Sequence, residues 1–440
     1  MNLNTLQDFR HDVYGCFPRA ADALFNTVDA LLTETQAQSF VELSLSPFFE
    51  RRWGSLYEAF EDGRIDQTRL RGVFAQYLLR PVDGEQMWLG IDATSIERPE
   101  SKTAPDRTVV YKPNLPESRK PISYGWQFST VVILPGQPSS WTAVLDQQRI
   151  RSDQTSVEVA ATQLHQLAPL LGAGSRPIVA TDRWYSCAPF LLATEGLPFD
   201  KLLRLKRKRV LYRAAPAPTG KPGAPRKDGE RFQCGDPSTY GEASGNWQGT
   251  DVKGHLVEIT WWNGLHLPKA RHLEVTVIRV LRHGATDRPR DPRESWFLWD
   301  GTANACVPEV ALGYRRRYSH EHGYRFAKQS LLWTQPRLRT PAQFERWSLL
   351  VAIVHNHLVL ARPQVPACRR PWESSQREAS PQQVRRAMAK IVAQLGTPAQ
   401  PPKPRGKSPG RQKGAVVKRA PRYGVVYKSK PEPKKRRTRA

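Results

Sequence analysis

Two short apolar runs, each followed by an aspartate, constrain the fold of this 440-residue sequence more than any other feature. Residues 88–91 precede Asp92, and residues 177–181 precede Asp182. Runs of this length and composition predict buried strands. Aspartates that follow such strands converge at one edge of an α/β sheet, which is where these folds keep their ligand sites. Because strand-end aspartates also cap loops, the pair alone leaves both interpretations open.

The charge of the chain indicates the class of its partner. The sequence has 67 Lys and Arg against 41 Asp and Glu, a net charge of +26 and a pI near 10.2. Such an excess of positive charge repels itself unless a polyanion neutralises it. We expect nucleic acid rather than an anionic membrane surface, and no apolar run reaches the ~18 residues of a membrane span.

The cysteines argue against a metal or disulfide scaffold. The five cysteines stand singly in the sequence, and no CxxC pair occurs. This pattern suits isolated thiols in a reducing cytoplasm. The N-terminus shows no basic stretch followed by an apolar segment, as an export signal would. We therefore expect a cytoplasmic, nucleoid-associated protein.

The C-terminal segment has a charge pattern of its own. From Gly396 to Ala440 the sequence contains 15 Lys and Arg and a single acid, Glu432, among many Pro and Gly residues. Such a composition buries too little apolar surface to fold alone. We expect a mobile polycation that adds salt-sensitive, sequence-independent affinity for phosphates, the alternative being a merely solubilising extension.

The remaining pattern predicts an α/β core that a β-rich insertion interrupts. Further strands are predicted at 124–134, 141–145, 202–211, 255–262, 273–281 and 295–299, and helices at 153–171, 307–333 and 341–361. We expect five segments: a helical DNA-binding domain (1–83), a first core part (84–211), the insertion (212–266), a second core part (267–365) and a basic tail (366–440).

Arginines between the apolar positions of the N-terminal helices suggest a surface that faces phosphates. They are Arg51, Arg52, Arg64, Arg69 and Arg71. A plain solvated face explains these arginines almost as well, so both interpretations stay open.

A third segment combines a carboxylate with cations. Four polar side chains follow one another at intervals of three, four and seven residues: Tyr314, Arg317, Glu321 and Lys328. On a helix with about 100° per residue, all four fall within an arc of about 60°. A carboxylate flanked by a guanidinium, an ammonium and a phenol suits a divalent metal ion beside phosphate oxygens. An exposed Arg317–Glu321 salt bridge is the alternative.

Together, the three motifs resemble the signature blocks of cut-and-paste DDE transposases. The motifs are WLGID (88–92), TDRWY (181–185) and Y-x2-R-x3-E-x6-K (314–328). They are similar specifically to the insertion-sequence group that carries the tyrosine–arginine–glutamate–lysine signature. The resemblance implies a ribonuclease-H-like α/β fold with a mixed sheet. It also implies two divalent ions per active site, Mg²⁺ or Mn²⁺, and double-stranded DNA with terminal inverted repeats as the substrate.

The resemblance also assigns roles to individual residues. The catalytic, metal-binding acids would be Asp92, Asp182 and Glu321. The contacts to transposon-end phosphates would be Tyr314, Arg317 and Lys328. Bringing two transposon ends together implies a homodimer.

Several points stay open in this comparison. Members of the group stack a flipped base on a tryptophan of the insertion, and nothing in the sequence chooses between Trp261 and Trp262. Trp184 and Tyr185, next to the second acid, either line the site or pack under it. The alternative functions are a catalytically inactive, transposase-derived DNA-binding protein or repressor, and a metal-dependent nuclease without strand transfer.

Two other motifs lack the context that their chemistry needs. Residues 406–408 resemble the end of a Walker A loop, but residue 401 is a proline and no strand precedes the loop. His355 and His357 lie on a mostly apolar predicted helix, where we expect them to pack or cap rather than to bind a metal ion.

Overall fold

The computed structural model of the chain describes residues 3–79, 86–111, 122–217, 224–252, 254–285, 287, 292–302, 305–365, 368–374, 376, 378–404, 410, 412–416 and 419–428. The motif at 406–408 and the basic run at 434–437 lie outside these ranges. Among the helices of the described residues, none combines the length and the apolar character that a membrane span requires.

The strands form one large mixed sheet. They are β1 (Trp88–Glu97), β2 (Thr108–Tyr111), β3 (Ile122–Ile133), β4 (Ala143–Ile150), β5 (Ile178–Thr181), β6 (Asp200–Leu205), β7 (Val210–Tyr212), β8 (Arg231–Gln233), β9 (Gly245–Thr250), β10 (Leu256–Leu267), β11 (Ala270–Arg282) and β12 (Glu294–Asp300). Their order is β2-β3-β1-β5-β6-β12-β11-β10-β7-β8, with β4 beside β3 and β9 beside β10.

The first half of the sheet has the mixed α/β arrangement that the sequence predicts. Strand β1 pairs antiparallel with β3 and parallel with β5, and β5 pairs parallel with β6. Strands β2 and β4 pair antiparallel with β3. This order is consistent with a ribonuclease-H-like core around a central β1.

The insertion does not form a separate sheet. Strand β12 pairs antiparallel with β6, and β11 and β10 continue the sheet from there. The β10–β11 hairpin therefore crosses the expected boundary between residues 266 and 267. Trp262 is buried in an aromatic cluster, and its ring lies 5.9 Å from that of Trp296. Trp262 is thus a core residue, whereas Trp261 is half-buried against Gly245.

Several of the helices pack against one long, buried helix, α10 (Pro341–Ala361). The helices are α1 (Leu3–Tyr14), α2 (Ala21–Thr33), α3 (Phe40–Leu43), α4 (Trp53–Asp62), α5 (Gln67–Leu78), α6 (Ser156–Leu167), α7 (Ala188–Ala193), α8 (Val307–Gly313), α9 (Tyr318–Gln329), α10 (Pro341–Ala361), α11 (Pro381–Arg385) and α12 (Met388–Leu395). Helix α10 begins at a capping box formed by Thr340 and Gln343, with a proline at its first position.

The N-terminal helices share this core rather than packing only among themselves. The ring of Trp347 on α10 lies 4.9 Å from Phe40 and 5.9 Å from Phe60. A salt bridge of 2.8 Å joins Arg10 of α1 to Asp29 of α2, and both side chains are nearly inaccessible. Helices α1 to α5 and α10 therefore bury one continuous apolar interior.

The arginines of the N-terminal helices have different environments. Arg71 is buried, and its Nε lies 3.0 Å from Asp146 of β4, so the expectation that it faces phosphates is wrong. Arg51 is partly covered, and its Nε donates to Asn26. Arg52, Arg64 and Arg69 are exposed. Their role in DNA binding stays a prediction.

The first part of the expected basic tail (366–440) contains two folded helices. Val384, Met388 and Val392 are buried on α11 and α12. Arg385 is also buried, and its guanidinium donates to the carbonyls of Leu31, Glu34 and Ser330. The apolar residues at helical spacing within 381–395 build these two helices, although the average composition of the segment hides them.

Burial confirms that the two histidines of α10 pack in the core. The rings of His355 and His357 are 3% and 0% exposed. Desolvation lowers the pKa of His355 to about 4 and that of His357 to about 3. His357 Nδ1 donates a hydrogen bond to the backbone carbonyl of Ile353 over 2.9 Å. Both histidines are therefore neutral at physiological pH.

We expect acid to destabilise the fold through these two histidines. Their pKa values are depressed in the folded chain, so below about pH 6.5 the unfolded chain binds protons that the folded chain does not. The free energy of unfolding should therefore fall between about pH 6.5 and about pH 4, by up to about 1.4 kcal/mol per pH unit for each histidine. Urea titrations across this range measure the slope. His357→Gln should reduce it and the exposed His11→Gln should not; an unchanged slope in H357Q would contradict this account.

Candidate functional site

The parallel strands bring the two predicted aspartates together. Register pairs Ile91 of β1 with Thr181 of β5, so the next residues, Asp92 and Asp182, are neighbours across the two strands. Contrary to the expectation, β1 does not end at Asp92. It continues to pair with β3, and Asp92 lies opposite Thr130. It is β5 that ends at this level, so β1 loses its parallel partner where the two carboxylates meet.

The aspartates lie in an open cleft of about 950 Å³. The side chains that line it come from β1, β2 and β3, from the residues that follow β5, and from α6 and α9. The charged ones are Asp92, Glu97, Arg98, Asp182 and Lys328.

A guanidinium balances the two carboxylates. Arg317 Nη2 lies 3.1 Å from Asp92 Oδ2, and the two side chains are 13% and 19% exposed. Burial raises the pKa of Asp182, the charge of Asp92 raises it further, and Arg317 opposes this rise. Burial alone would lower the pKa of Arg317, but the charges of Asp92 and other neighbours raise it above its ordinary value. Arg317 therefore stays charged and favours the ionised form of Asp182.

Helix α9 is attached to β1 by two polar side chains. The hydroxyl of Tyr324 donates to the carbonyl of Asp92 over 2.8 Å. The ammonium of Lys328 donates to Thr94 Oγ1 over 2.7 Å and to the carbonyl of Ser95 over 3.0 Å. Burial lowers the pKa of Lys328. Both contacts hold the strand next to the first acid.

Tyr314 fixes the other strand. Its hydroxyl donates to the carbonyl of Thr181 over 3.0 Å, directly before Asp182. Its ring lies 4.6 Å from that of Phe297 on β12, and burial raises its pKa. The Tyr314 hydroxyl therefore contacts the backbone directly before the second acid.

Glu321 lies apart from the aspartate pair. Its side chain is exposed and lines a neighbouring cavity of about 400 Å³ together with Tyr314 and Arg317. Across the described ranges, no three His, Cys, Asp or Glu side chains are grouped so that they could hold a metal ion. The structure thus brings together two of the three predicted acids and leaves the third on the adjoining surface.

The backbone of the third motif differs from the expected continuous helix. Residues Tyr314–Arg317 form a 3-10 turn, and α9 begins only at Tyr318. A 3-10 turn advances by 3.0 rather than 3.6 residues per turn, so the angles calculated for an unbroken α-helix do not apply. Arg317, in the 3-10 turn, contacts Asp92, whereas Glu321, on α9, is exposed at the surface.

Sequence reasoning missed Tyr324, whose contact with Asp92 is among the shortest in the site. Tyr324 lies seven residues after Arg317 and three after Glu321, so its helical spacing was the available signal.

Trp184 and Tyr185, the two aromatic residues next to the second acid, differ in their exposure. Trp184 is 63% exposed and lines the cleft, and its ring faces Lys206 Nζ at 4.9 Å. Tyr185 also borders the cleft but is almost completely buried.

The comparisons with known proteins bear on this cleft. The model of the family described as DDE superfamily endonuclease matches residues 12–268, which is more than half of the chain. The chain belongs to the DDE superfamily endonucleases. A comparison with curated proteins finds no match. The family implies DNA as the substrate of this endonuclease, and its members generally depend on divalent metal ions.

The family match includes Asp92 and Asp182 and ends before the third motif. The endonuclease fold is therefore established over the two strands that carry the aspartates. The individual roles of Asp92, Asp182, Glu321, Tyr314, Arg317 and Lys328 stay predictions.

We expect Tyr314→Phe to lower DNA cleavage by this endonuclease while leaving DNA binding nearly unchanged. The change removes only the hydroxyl that holds the carbonyl of Thr181, at a cost of about 1 kcal/mol of stability. Urea denaturation and a cleavage assay with Mg²⁺ measure the two effects. Tyr318→Phe is the matched control, since that side chain is 42% exposed. Equal cleavage by both variants would show that the Tyr314 hydroxyl does not position Asp182.

Proposed function

We propose that this endonuclease is the transposase of an insertion sequence. It would bind the inverted-repeat ends of its element and catalyse metal-dependent DNA cleavage and strand transfer. The observation that carries the proposal is the Asp92–Asp182 pair, held against Arg317 at the end of β5 and open to a wide cleft. The net charge of +26 supports a polyanionic substrate.

The donor atoms of the site fit a hard divalent cation. Carboxylate oxygens are the ligands that Mg²⁺ and Mn²⁺ prefer. Burial and the charge of Asp92 raise the pKa of Asp182, so a bound cation would relieve a repulsion that already exists. We propose that Asp92, Asp182 and Glu321 hold two such ions. When bound, two divalent ions activate water or a 3′-hydroxyl and stabilise the charge of the leaving oxygen.

The chain's own side chains would bind and orient the DNA. Lys328 places its ammonium in the cleft beside Thr94, where a phosphate would add a charge-assisted contact. Arg317 forms a salt bridge with Asp92 and, with Tyr314, borders the second cavity next to Glu321. Trp184 presents an indole face beside an ammonium, an arrangement that suits stacking of an unpaired base. Synapsis of two ends would require a homodimer.

A second function has an observation in its favour. Since Glu321 lies apart from the aspartates, the described residues offer two grouped acids rather than three. This arrangement suits a catalytically inactive, transposase-derived DNA-binding protein or repressor. The presence of an acid at all three positions of the motif favours the active enzyme, because a binding protein has no need of them.

We expect Asp92→Ala, Asp182→Ala and Glu321→Ala each to abolish cleavage and to retain DNA binding. The assay combines the purified protein, Mg²⁺ and DNA with the ends of the element, and resolves nicks, hairpins and joined products. Glu309→Ala, an exposed acid on α8, is the control and should cleave normally. Cleavage by any one of the three variants would remove that residue from the site. Binding without cleavage by the unchanged chain would favour the inactive protein, and nicks without joined products a nuclease.

We expect Lys328→Ala to weaken DNA binding and to flatten its salt dependence. Loss of one phosphate contact reduces the slope of log affinity against log salt concentration by about one unit. Fluorescence anisotropy between about 50 and 200 mM salt measures the slope. Lys390→Ala on α12 provides a matched control for loss of one charge. An unaltered slope would mean that Lys328 serves only to bind Thr94 and Ser95.

A further inference from the structure

A small cavity lies in the interior of the protein, between the sheet and two of the helices. Its walls come mainly from β3, β4, α9 and α10, and its volume is about 20 Å³. One water molecule needs about 10–15 Å³, so the space is sufficient for a single water. We call it the interior cavity. The hydroxyl, amide and imidazole side chains that line it are Thr130, Thr142, Gln147, His320, Tyr324 and His355.

Two histidines at the interior cavity carry ring nitrogens without a protein partner. His320 is 1% exposed, and neither of its nitrogens has a hydrogen-bond partner among the described residues. His355 has a backbone hydrogen bond with Thr142, but its Nε2 has no partner in the same part of the chain. Most buried polar groups in folded proteins are paired, either with protein atoms or with ordered water. Three unpaired nitrogens around one cavity therefore indicate a shared partner inside it.

The chemistry of the lining fits water rather than an ion. Among the described residues, no Asp, Glu, Lys or Arg borders the interior cavity, so an ion there would be buried without a counter-charge. A neutral imidazole presents one N–H donor and one lone pair, and water can both donate and accept. Purely apolar cavities stay dry, whereas a cavity with two to four polar partners holds water. The volume also excludes a larger organic ligand.

The interior cavity lies directly behind the first acid of the candidate site. Thr130 of β3 is opposite Asp92 in the strand register. Tyr324 follows His320 by one helical turn, the two rings are 4.6 Å apart, and the Tyr324 hydroxyl donates to the carbonyl of Asp92. A water bound to both histidines would link α9 to α10 at this point. It would thereby support the position of α9 from which Tyr324 reaches β1.

We propose that the interior cavity binds one water molecule, which forms hydrogen bonds with His320 of α9 and with Nε2 of His355 of α10. The water joins the two helices behind β1, the strand that carries Asp92. This hydration site is separate from the cleft and from the second cavity. The inference does not rest on the proposed function, because no DNA contact and no metal ligand enters it.

The first experiment detects the water directly in the full-length protein. Valine methyl groups are labelled in a deuterated background, and nuclear Overhauser transfer from water is measured. The methyl groups of Val132 and Val144 line the interior cavity and should receive magnetisation from water. Val28, which is fully buried on α2 and does not line the interior cavity, is the control and should receive none. Absence of transfer to both cavity valines would overturn the proposal.

The second experiment fills the interior cavity with a methylene group. Val351→Ile should displace the water, remove the transfer to Val132 and Val144, and lower the equilibrium constant for folding about fivefold, because the ring nitrogens lose their partner. Val354→Ile, on the same helix but away from the cavity, should keep the transfer. A dry cavity would be filled favourably instead. Equal or greater stability of V351I, or transfer that persists in it, would therefore overturn the proposal.

A pair of histidine variants decides the question if V351I does not fold. His355→Phe and His357→Phe each remove a buried imidazole and its backbone hydrogen bond from α10, but only His355 lines the interior cavity. We expect H355F to lose the transfer from water to Val144 and H357F to keep it. Equal transfer in the two variants would mean that His355 does not hold the water. None of these measurements uses DNA, so their failure leaves the proposed function untouched.

Discussion

The site depends on one electrostatic constraint, the placement of two carboxylates side by side in a sheet. Asp92 and Asp182 would repel each other in a partly buried position, and the pKa of Asp182 is raised for this reason and by burial. Arg317 offsets that repulsion from the opposite side, 3.1 Å from Asp92. Removal of one partner from a buried charge pair typically costs about 3–5 kcal/mol. Arg317 is therefore needed for the stability of the fold at this point as well as for any chemistry.

The sheet explains why the acids meet at this place. Strand β5 stops after Thr181, whereas β1 continues beside β3. The step between the strands opens the cleft and exposes both carboxylates to it. On the other flank, β12 and β11 extend the sheet beyond β6, and residues of both strands line the second cavity, which Arg317 and Glu321 share. One continuous sheet thus supports both surfaces next to the acids.

Local pattern predicted the strands that carry Asp92 and Asp182, because short apolar runs are a strong signal for buried strands. It did not predict the 3-10 turn before α9, because the phase of a helix depends on how Tyr314 and Arg317 pack against β5 and β1. The same pattern analysis missed α11 and α12, because Val384 and Met388 lie among many polar and basic residues. Long-range contacts such as Arg71 with Asp146 leave no trace in spacing, which is why Arg71 seemed available to DNA.

The residues that the motif associates with DNA also hold the strands that carry the acids. Tyr314 binds the carbonyl before Asp182, and Lys328 binds β1 two and three residues after Asp92. A phosphate that draws Lys328 or Arg317 towards itself must compete with these contacts. Binding at the surface of α9 and the geometry of the acid pair are therefore coupled through the same side chains. Such coupling gives a physical reason for cations and acids to occur together in one motif: cations that bound the substrate as proposed would also hold the strands that carry the carboxylates.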